Sequence, residues 1–125
     1  MRKLLIVEDE PILLEMLSAV VSTAGYEVLG ATSFEEAKRL IDTAEPDLLI
    51  VDVRLGPYNG LHLVVRERLS HPNRPVIVTS AYADEVLVQE ARRYGAEFLE
   101  KPLTAAELLA LIKKLLPDEI PAGSV

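Results

Sequence analysis

A chain of 125 residues, half of them hydrophobic, fits one compact domain able to bury its own core. It has no cysteine, which excludes a disulfide framework, thiol catalysis and Cys-ligated zinc and suits a reducing compartment. Its net charge of −7, from 13 basic and 20 acidic residues, leaves no basic footprint for nucleic acid. Met1-Arg2-Lys3 has the look of a signal-peptide start, but the apolar run Leu4–Val7 ends at once in Glu8-Asp9-Glu10. Neither a secretory core nor a membrane span fits, and a cytoplasmic location is expected.

Five short apolar runs follow one another: Leu4–Val7, Val28–Ala31, Leu48–Val51, Val76–Thr79 and Phe98-Leu99. Most are continuous rather than alternating, the pattern of strands covered on both faces. Amphipathic stretches separate them. Pro11 suits a first helical position, Ile12, Leu13, Met16, Leu17, Val20 and Val21 make a stripe, and Gly25 is a stop. Ser33-Phe34-Glu35-Glu36 is a capping box for a helix to about Thr43, with Pro46 beyond. Gly60–Ser70 carries Leu61, Val64, Val65 and Leu69 and breaks at His71-Pro72-Asn73. Asp84–Tyr94 lines up Leu87, Ala91 and Tyr94 before Gly95, and Thr104-Ala105-Ala106-Glu107 is a second capping box leading to Pro117. The pattern predicts an α/β fold, (βα)5, a doubly wound parallel sheet with helices on both faces. Residues 1–116 form the domain, and 117–125, with two prolines and a glycine, reads as a linker-like or frayed tail.

Sites in open α/β sheets form at the C-terminal ends of the strands. Glu8 and Asp9 follow the first strand, Asp52 the third and Ser80 the fourth, while Lys101 trails the fifth. Each residue alone also fits a helix-capping role, and Asp9 or Glu10 would favour the positive end of the first helix. Together they bring three carboxylates, a hydroxyl and an ammonium to one rim. Carboxylates about 4 Å apart repel by roughly 4 kcal/mol at an effective dielectric of 20, so the cluster calls for a cation or a raised pKa. An oxygen-only set without His or Cys favours Mg²⁺, with Mn²⁺ as the alternative. Metal, lysine and hydroxyl around a carboxylate are the equipment for phosphoryl transfer to Asp52.

The residues that carry this pattern also resemble a known family. Val7-Glu8-Asp9-Glu10-Pro11, Leu48-Leu49-Ile50-Val51-Asp52, Val78-Thr79-Ser80-Ala81 and Glu100-Lys101-Pro102 are similar to the response-regulator receiver domain of two-component signalling, over about residues 3–116. The resemblance implies the flavodoxin-like strand order 2-1-3-4-5. It implies that Asp52 takes the phosphoryl group from a histidine kinase or phosphotransfer protein. Asp9 would bind Mg²⁺ directly, Glu8 through water, and the Arg54 backbone carbonyl would complete the protein ligands. Lys101 would pair with Asp52 and then with the phosphoryl group, Ser80 would bond a phosphoryl oxygen, and Phe98 would be the aromatic switch. A cis Lys101–Pro102 bond is also implied. The sequence departs from the common pattern at Gly56, where proline is frequent, with Pro57 following; Gly60 keeps its usual place. Phe98 lacks the frequent tyrosine hydroxyl, and Leu103 replaces a frequent phenylalanine.

Arg54 and Tyr82, each two residues beyond a site residue, are expected to flank the phosphoryl group and slow its hydrolysis. His62 and His71 read as solvated surface residues. The apolar run Val86-Leu87-Val88 cannot be buried whole by one helix, and a phosphorylation-dependent homodimer through that face is one expectation. No direct nucleic-acid or membrane contact is expected, and the output lies in an unknown protein or an output domain beyond this chain. The function expected is a phosphoacceptor switch that catalyses only its own phosphorylation and slow dephosphorylation. Two rivals stand beside it. A phosphorylation-independent pseudo-receiver would lack site residues that are present here. An aspartyl-phosphate phosphatase would place an aspartate where Arg54 stands.

Overall fold

The structure, a computed structural model, describes residues 1–82 and 84–117. The expected tail from Pro117 onward therefore falls outside the described residues, apart from Pro117 itself. The elements run β1 (Lys3–Val7), α1 (Pro11–Thr23), β2 (Glu27–Ala31), α2 (Phe34–Ala44), β3 (Leu48–Asp52), β4 (Arg54–Leu55), β5 (Tyr58–Asn59), α3 (Leu61–Ser70), β6 (Val76–Ser80), α4 (Glu85–Arg93), β7 (Glu97–Glu100) and α5 (Ala105–Leu115). Five parallel strands form one sheet in the order β2-β1-β3-β6-β7, which is 2-1-3-4-5 when the short β4–β5 hairpin is set aside. This is the flavodoxin-like order that the resemblance implied.

The strand runs are continuous because both faces are covered. Along β1 and β3, odd and even residues serve different cores. Leu5, Val7, Leu49, Val51, Val76 and Val78 pack with Ala37 and Ile41 of α2, Leu63 and Val64 of α3 and Ala91 of α4. On the opposite face Leu4, Ile6, Leu48, Ile50 and Ile77 meet Leu17 and Val21 of α1 and Leu108 and Ile112 of α5. Each fully buried Leu or Ile contributes about 1.5–3 kcal/mol by leaving water. Slipping a strand by one residue would exchange the two cores, so the register is strongly held.

At both predicted helix starts the N-cap side chain bonds the backbone. The Ser33 side chain accepts from Glu36 N–H, and Thr104 Oγ1 accepts from Glu107 N–H. The Glu36 carboxylate reaches back to the Thr32 N–H at 2.9 Å. Two apolar stripes are narrower than expected from periodicity. Ile12 and Met16 are exposed because α1 turns Leu13, Leu14, Leu17 and Val21 to the sheet, and Leu69 is exposed because α3 buries Leu63, Val64 and Glu67 instead. His71 is also more than a solvated surface residue. Its N–H caps α3 at Glu67 O, and its Nδ1 lies 3.5 Å from the carboxylate of Glu67, which is fully buried. Arg74 pairs with that same carboxylate at 2.8 Å.

Candidate functional site

Each predicted rim residue sits at the end of a strand, and the register sets which ones meet. Val7 of β1 lies beside Val51 of β3, which brings Glu8, Asp9 and Asp52 to neighbouring strand ends. Asp52 lies beside Thr79 of β6, and Ser80 beside Glu100 of β7. Lys101 N–H then donates to Ser80 O at 2.8 Å, which anchors the lysine at the same edge. The Lys101–Pro102 peptide bond is cis, as the resemblance implied.

The site itself is small and nearly closed. Glu8 is 2% exposed, Asp52 5% and Ser80 3%. Glu8, Asp9 and Asp52 each present a carboxylate oxygen, and these oxygens lie within 4.8 Å of one another. Lys101 Nζ donates to Glu8 Oε1 at 2.7 Å and to Asp52 Oδ2 at 3.0 Å. Asp52 Oδ1 accepts from Arg54 N–H at 3.1 Å, and Asp9 Oδ2 from Gly56 N–H at 3.1 Å. Ser80 Oγ accepts from Tyr82 N–H at 3.1 Å, which leaves its own proton to donate.

One ammonium cannot balance three ionised carboxylates. Pairs at this separation repel by roughly 3–4 kcal/mol at an effective dielectric of 20. The cluster responds at Glu8. Burial pushes its carboxyl up to about 7, the Lys101 bond pulls the other way, and Asp52 adds to the rise. Burial disfavours the Lys101 charge, but its bonds to Glu8 and Asp52 more than offset that and hold its pKa above the usual value. Hard oxygens, close spacing and unmet negative charge together fit a divalent cation of the Mg²⁺ kind.

The remaining predicted residues stand around this centre. The Arg54 guanidinium lies over the Tyr82 ring, 4.6 Å from its centroid, beside the residues whose side chains their N–H groups bind. Phe98 is half-buried in β7 next to Val78 and packs on the core of α2, α3 and α4. Gly60 comes so close to the Asp52 backbone that an added Cβ would lie 2.1 Å from Asp52 O. Val86 on α4 is exposed, as a helix unable to bury three successive apolar residues requires. His62 is exposed, in the first turn of α3.

Two features were not visible in the sequence. One is the β4–β5 hairpin between Asp52 and α3, pinned by buried Leu55 and by a stack of Tyr58 on Phe34 at 5.2 Å. The other is that Glu8, expected at the metal, holds Lys101 more closely than Asp52 does. A Gly-Pro pair in an Asp-to-helix loop was the one sequence signal for the hairpin.

The chemotaxis protein CheY of Thermotoga maritima is 31% identical over 116 residues, covering 91% of this chain and 97% of that protein. The sporulation initiation phosphotransferase F of Bacillus subtilis is 28% identical, covering 92% and 94% of the two chains. Among solved structures, the non-phosphorylated HemR receiver domain from Leptospira biflexa superposes with a TM-score of 0.88 at 27% identity, covering 97% of this chain and 98% of that one. The family model described as the response regulator receiver domain matches residues 4–113. No helix among the described residues is long and apolar enough to cross a membrane. With the fold, the acidic rim and this match in agreement, the chain belongs to the response regulator receiver domain family.

Proposed function

We propose that Asp52 accepts a phosphoryl group from the phosphohistidine of a histidine kinase or phosphotransfer protein, with a divalent cation held by Glu8, Asp9 and Asp52. The observation that carries this reading is the bond from Lys101 Nζ to Asp52 at 3.0 Å inside a trio of carboxylates. A carboxylate 5% exposed, kept next to a cation and at the strand ends, is a nucleophile aimed out of the sheet. Mg²⁺, when bound, would neutralise the phosphoryl oxygens and bring donor and acceptor together. The Arg54 carbonyl would add to the ligands.

The chain's own residues do the rest. An Asp52 oxygen forms the new O–P bond as the P–N bond of the donor breaks, and the imidazole leaves with the electron pair. Lys101 moves from the Asp52 carboxylate to the new phosphoryl oxygens, where negative charge is then greatest. The Ser80 hydroxyl, whose oxygen is already held by Tyr82 N–H, donates to a phosphoryl oxygen. That draws the β6–α4 segment inward and frees room for Phe98, a switch resting on packing. Arg54 and Tyr82 flank the group and slow its hydrolysis. As a receiver domain the chain is a signalling module, and its turnover is confined to its own phosphate.

Incubation with acetyl phosphate and Mg²⁺, followed by intact-mass measurement, tests the reading. Wild type should gain one phosphate and Asp52→Asn none. No uptake by wild type would favour a phosphorylation-independent interaction module.

A further inference from the structure

We infer that the backbone N–H of Gly56, at the tip of the β4–β5 hairpin, is a positioning donor for Asp9 and couples the hairpin to cation binding by the acidic trio. The inference rests on the reading of that trio as a cation site and adds a position to it. Gly56 N–H donates to Asp9 Oδ2 at 3.1 Å, joining residues 47 positions apart. A bond to a carboxylate is stronger than one between neutral groups, and it restricts the rotamers open to Asp9 before any cation arrives.

The donor exists because of the local sequence. A proline at 56 would have no N–H to offer, and here the proline stands one position later, at 57. Gly56 has φ +58°, the left-handed region that glycine enters freely, and this closes the tight connection from Leu55 to Tyr58. Three contacts hold the tip in place. Leu55 is 2% exposed, the Tyr58 ring stacks on Phe34 with 23° between planes, and Gly60 N–H donates to Val53 O at 2.6 Å across the hairpin base. Lys38 of α2 sits 5.1 Å from the Phe34 centroid and extends the stack. The first turns of α2, the hairpin tip and Asp9 thus form one continuous set of contacts. Loosening the hairpin at Tyr58, away from the carboxylates, weakens cation binding, and a bound cation tightens the hairpin, because such coupling is reciprocal.

The test uses the full chain labelled with ¹⁵N-glycine, which gives a signal for each of six glycines. Without metal, the Gly56 amide should exchange about threefold or more slowly in wild type than in Asp9→Ala, the ratio for a net bond of ~0.7 kcal/mol. Unchanged Gly25, Gly30 and Gly95 signals report an intact fold. In Mg²⁺ titrations followed by the same signals, Tyr58→Ala should bind about two- to fivefold more weakly than wild type, and Tyr58→Phe, which keeps the ring, should recover wild-type affinity. Equal Gly56 exchange in Asp9→Ala, or equal Mg²⁺ affinity in Tyr58→Ala and wild type, overturns the inference and leaves the cation site standing. A wild type that shows no Mg²⁺-dependent change overturns both.

Discussion

Lys101 sits closer to Glu8 than to Asp52, at 2.7 Å from Glu8 Oε1 and 3.0 Å from Asp52 Oδ2. The lysine is therefore shared between Asp52 and a neighbour buried to 2% exposure. Asp52 keeps one oxygen on Arg54 N–H and one on Lys101, while Glu8 holds the same ammonium from the other side.

This sharing has a pH signature. Burial, with Asp52 adding to it, holds the Glu8 carboxyl at about 7, above its usual 4.5. Between those two values the folded chain carries a proton that the unfolded chain has lost. Stability contributed by this group therefore falls as pH rises through the window, and the full penalty is present above about 7. Glu8→Gln, which cannot ionise, should gain stability over wild type between pH 5 and pH 8 without metal. The gain is on the order of 1–3 kcal/mol, one pKa unit being worth about 1.4. Urea unfolding at the two pH values measures it; a difference independent of pH would contradict it. Mg²⁺ at pH 8 should reduce that gain.

Arg54 and Tyr82 form a stack at the mouth of the site, the guanidinium 4.6 Å from the ring centroid. A cation–π contact of this kind is worth about 0.5–2 kcal/mol. The aspartyl phosphate of an Arg54→Ala, Tyr82→Ala double variant should hydrolyse about 2- to 30-fold faster than that of wild type. Each single variant should show most of the effect, since the partners act together. Loss of phosphate followed by mass spectrometry decides it, and a slower loss from the double variant would count against the pair as a shield.

Gly60 lies against the Asp52 backbone. A Cβ there would lie 2.1 Å from Asp52 O and 3.0 Å from Val51 Cγ1, so β3 or α3 must shift. Gly60→Ala should cost about 1–3 kcal/mol, as overpacking of a close contact does, and slow phosphorylation of the folded fraction. Thermal unfolding and acetyl-phosphate uptake measured together separate the two effects. Wild-type values for both would show that the strand accommodates the methyl group freely.

At the opposite edge of the sheet, Arg68 ties α3 to the end of α4. Its guanidinium donates to the carbonyls of Tyr94, Gly95, Pro72 and Arg74, and burial lowers its pKa. Arg68→Ala strips partners from these carbonyls and should destabilise the fold by about 2–4 kcal/mol, with Lys a poor replacement for the planar fork. Phosphate uptake per folded chain should stay at the wild-type level. Denaturant unfolding of Ala and Lys variants checks this.

Much of this arrangement was legible in the chain. The unbroken runs Leu4–Val7 and Leu48–Val51 marked strands buried on both faces, and Ser33 and Thr104 with their partners Glu36 and Glu107 marked helix starts. The rim was legible because Glu8, Asp9, Asp52, Ser80 and Lys101 all end or follow apolar runs, and in a parallel sheet those ends share one edge. What stayed hidden depends on distances between segments. That Lys101 prefers Glu8 follows from where the β7–α5 segment leaves the sheet, and spacing in sequence does not report it. The Gly56 donor is a backbone group and has no letter of its own. Ile12, Met16 and Leu69 looked like core because helical period says which residues share a side, not how wide a stripe the sheet covers. The closeness of His71 to buried Glu67 gave no sign either, since a Glu and a His one turn apart are ordinary on a surface helix.

The most direct measurement asks which residue carries the phosphate. After incubation with acetyl phosphate and Mg²⁺, borohydride reduction converts an aspartyl phosphate to homoserine, and peptide mass spectrometry then locates it. The account predicts homoserine at position 52 alone, dependent on Mg²⁺ and absent from Lys101→Ala or much reduced in it. Homoserine at another aspartate, or none in wild type under conditions where Mg²⁺ is bound, would contradict it.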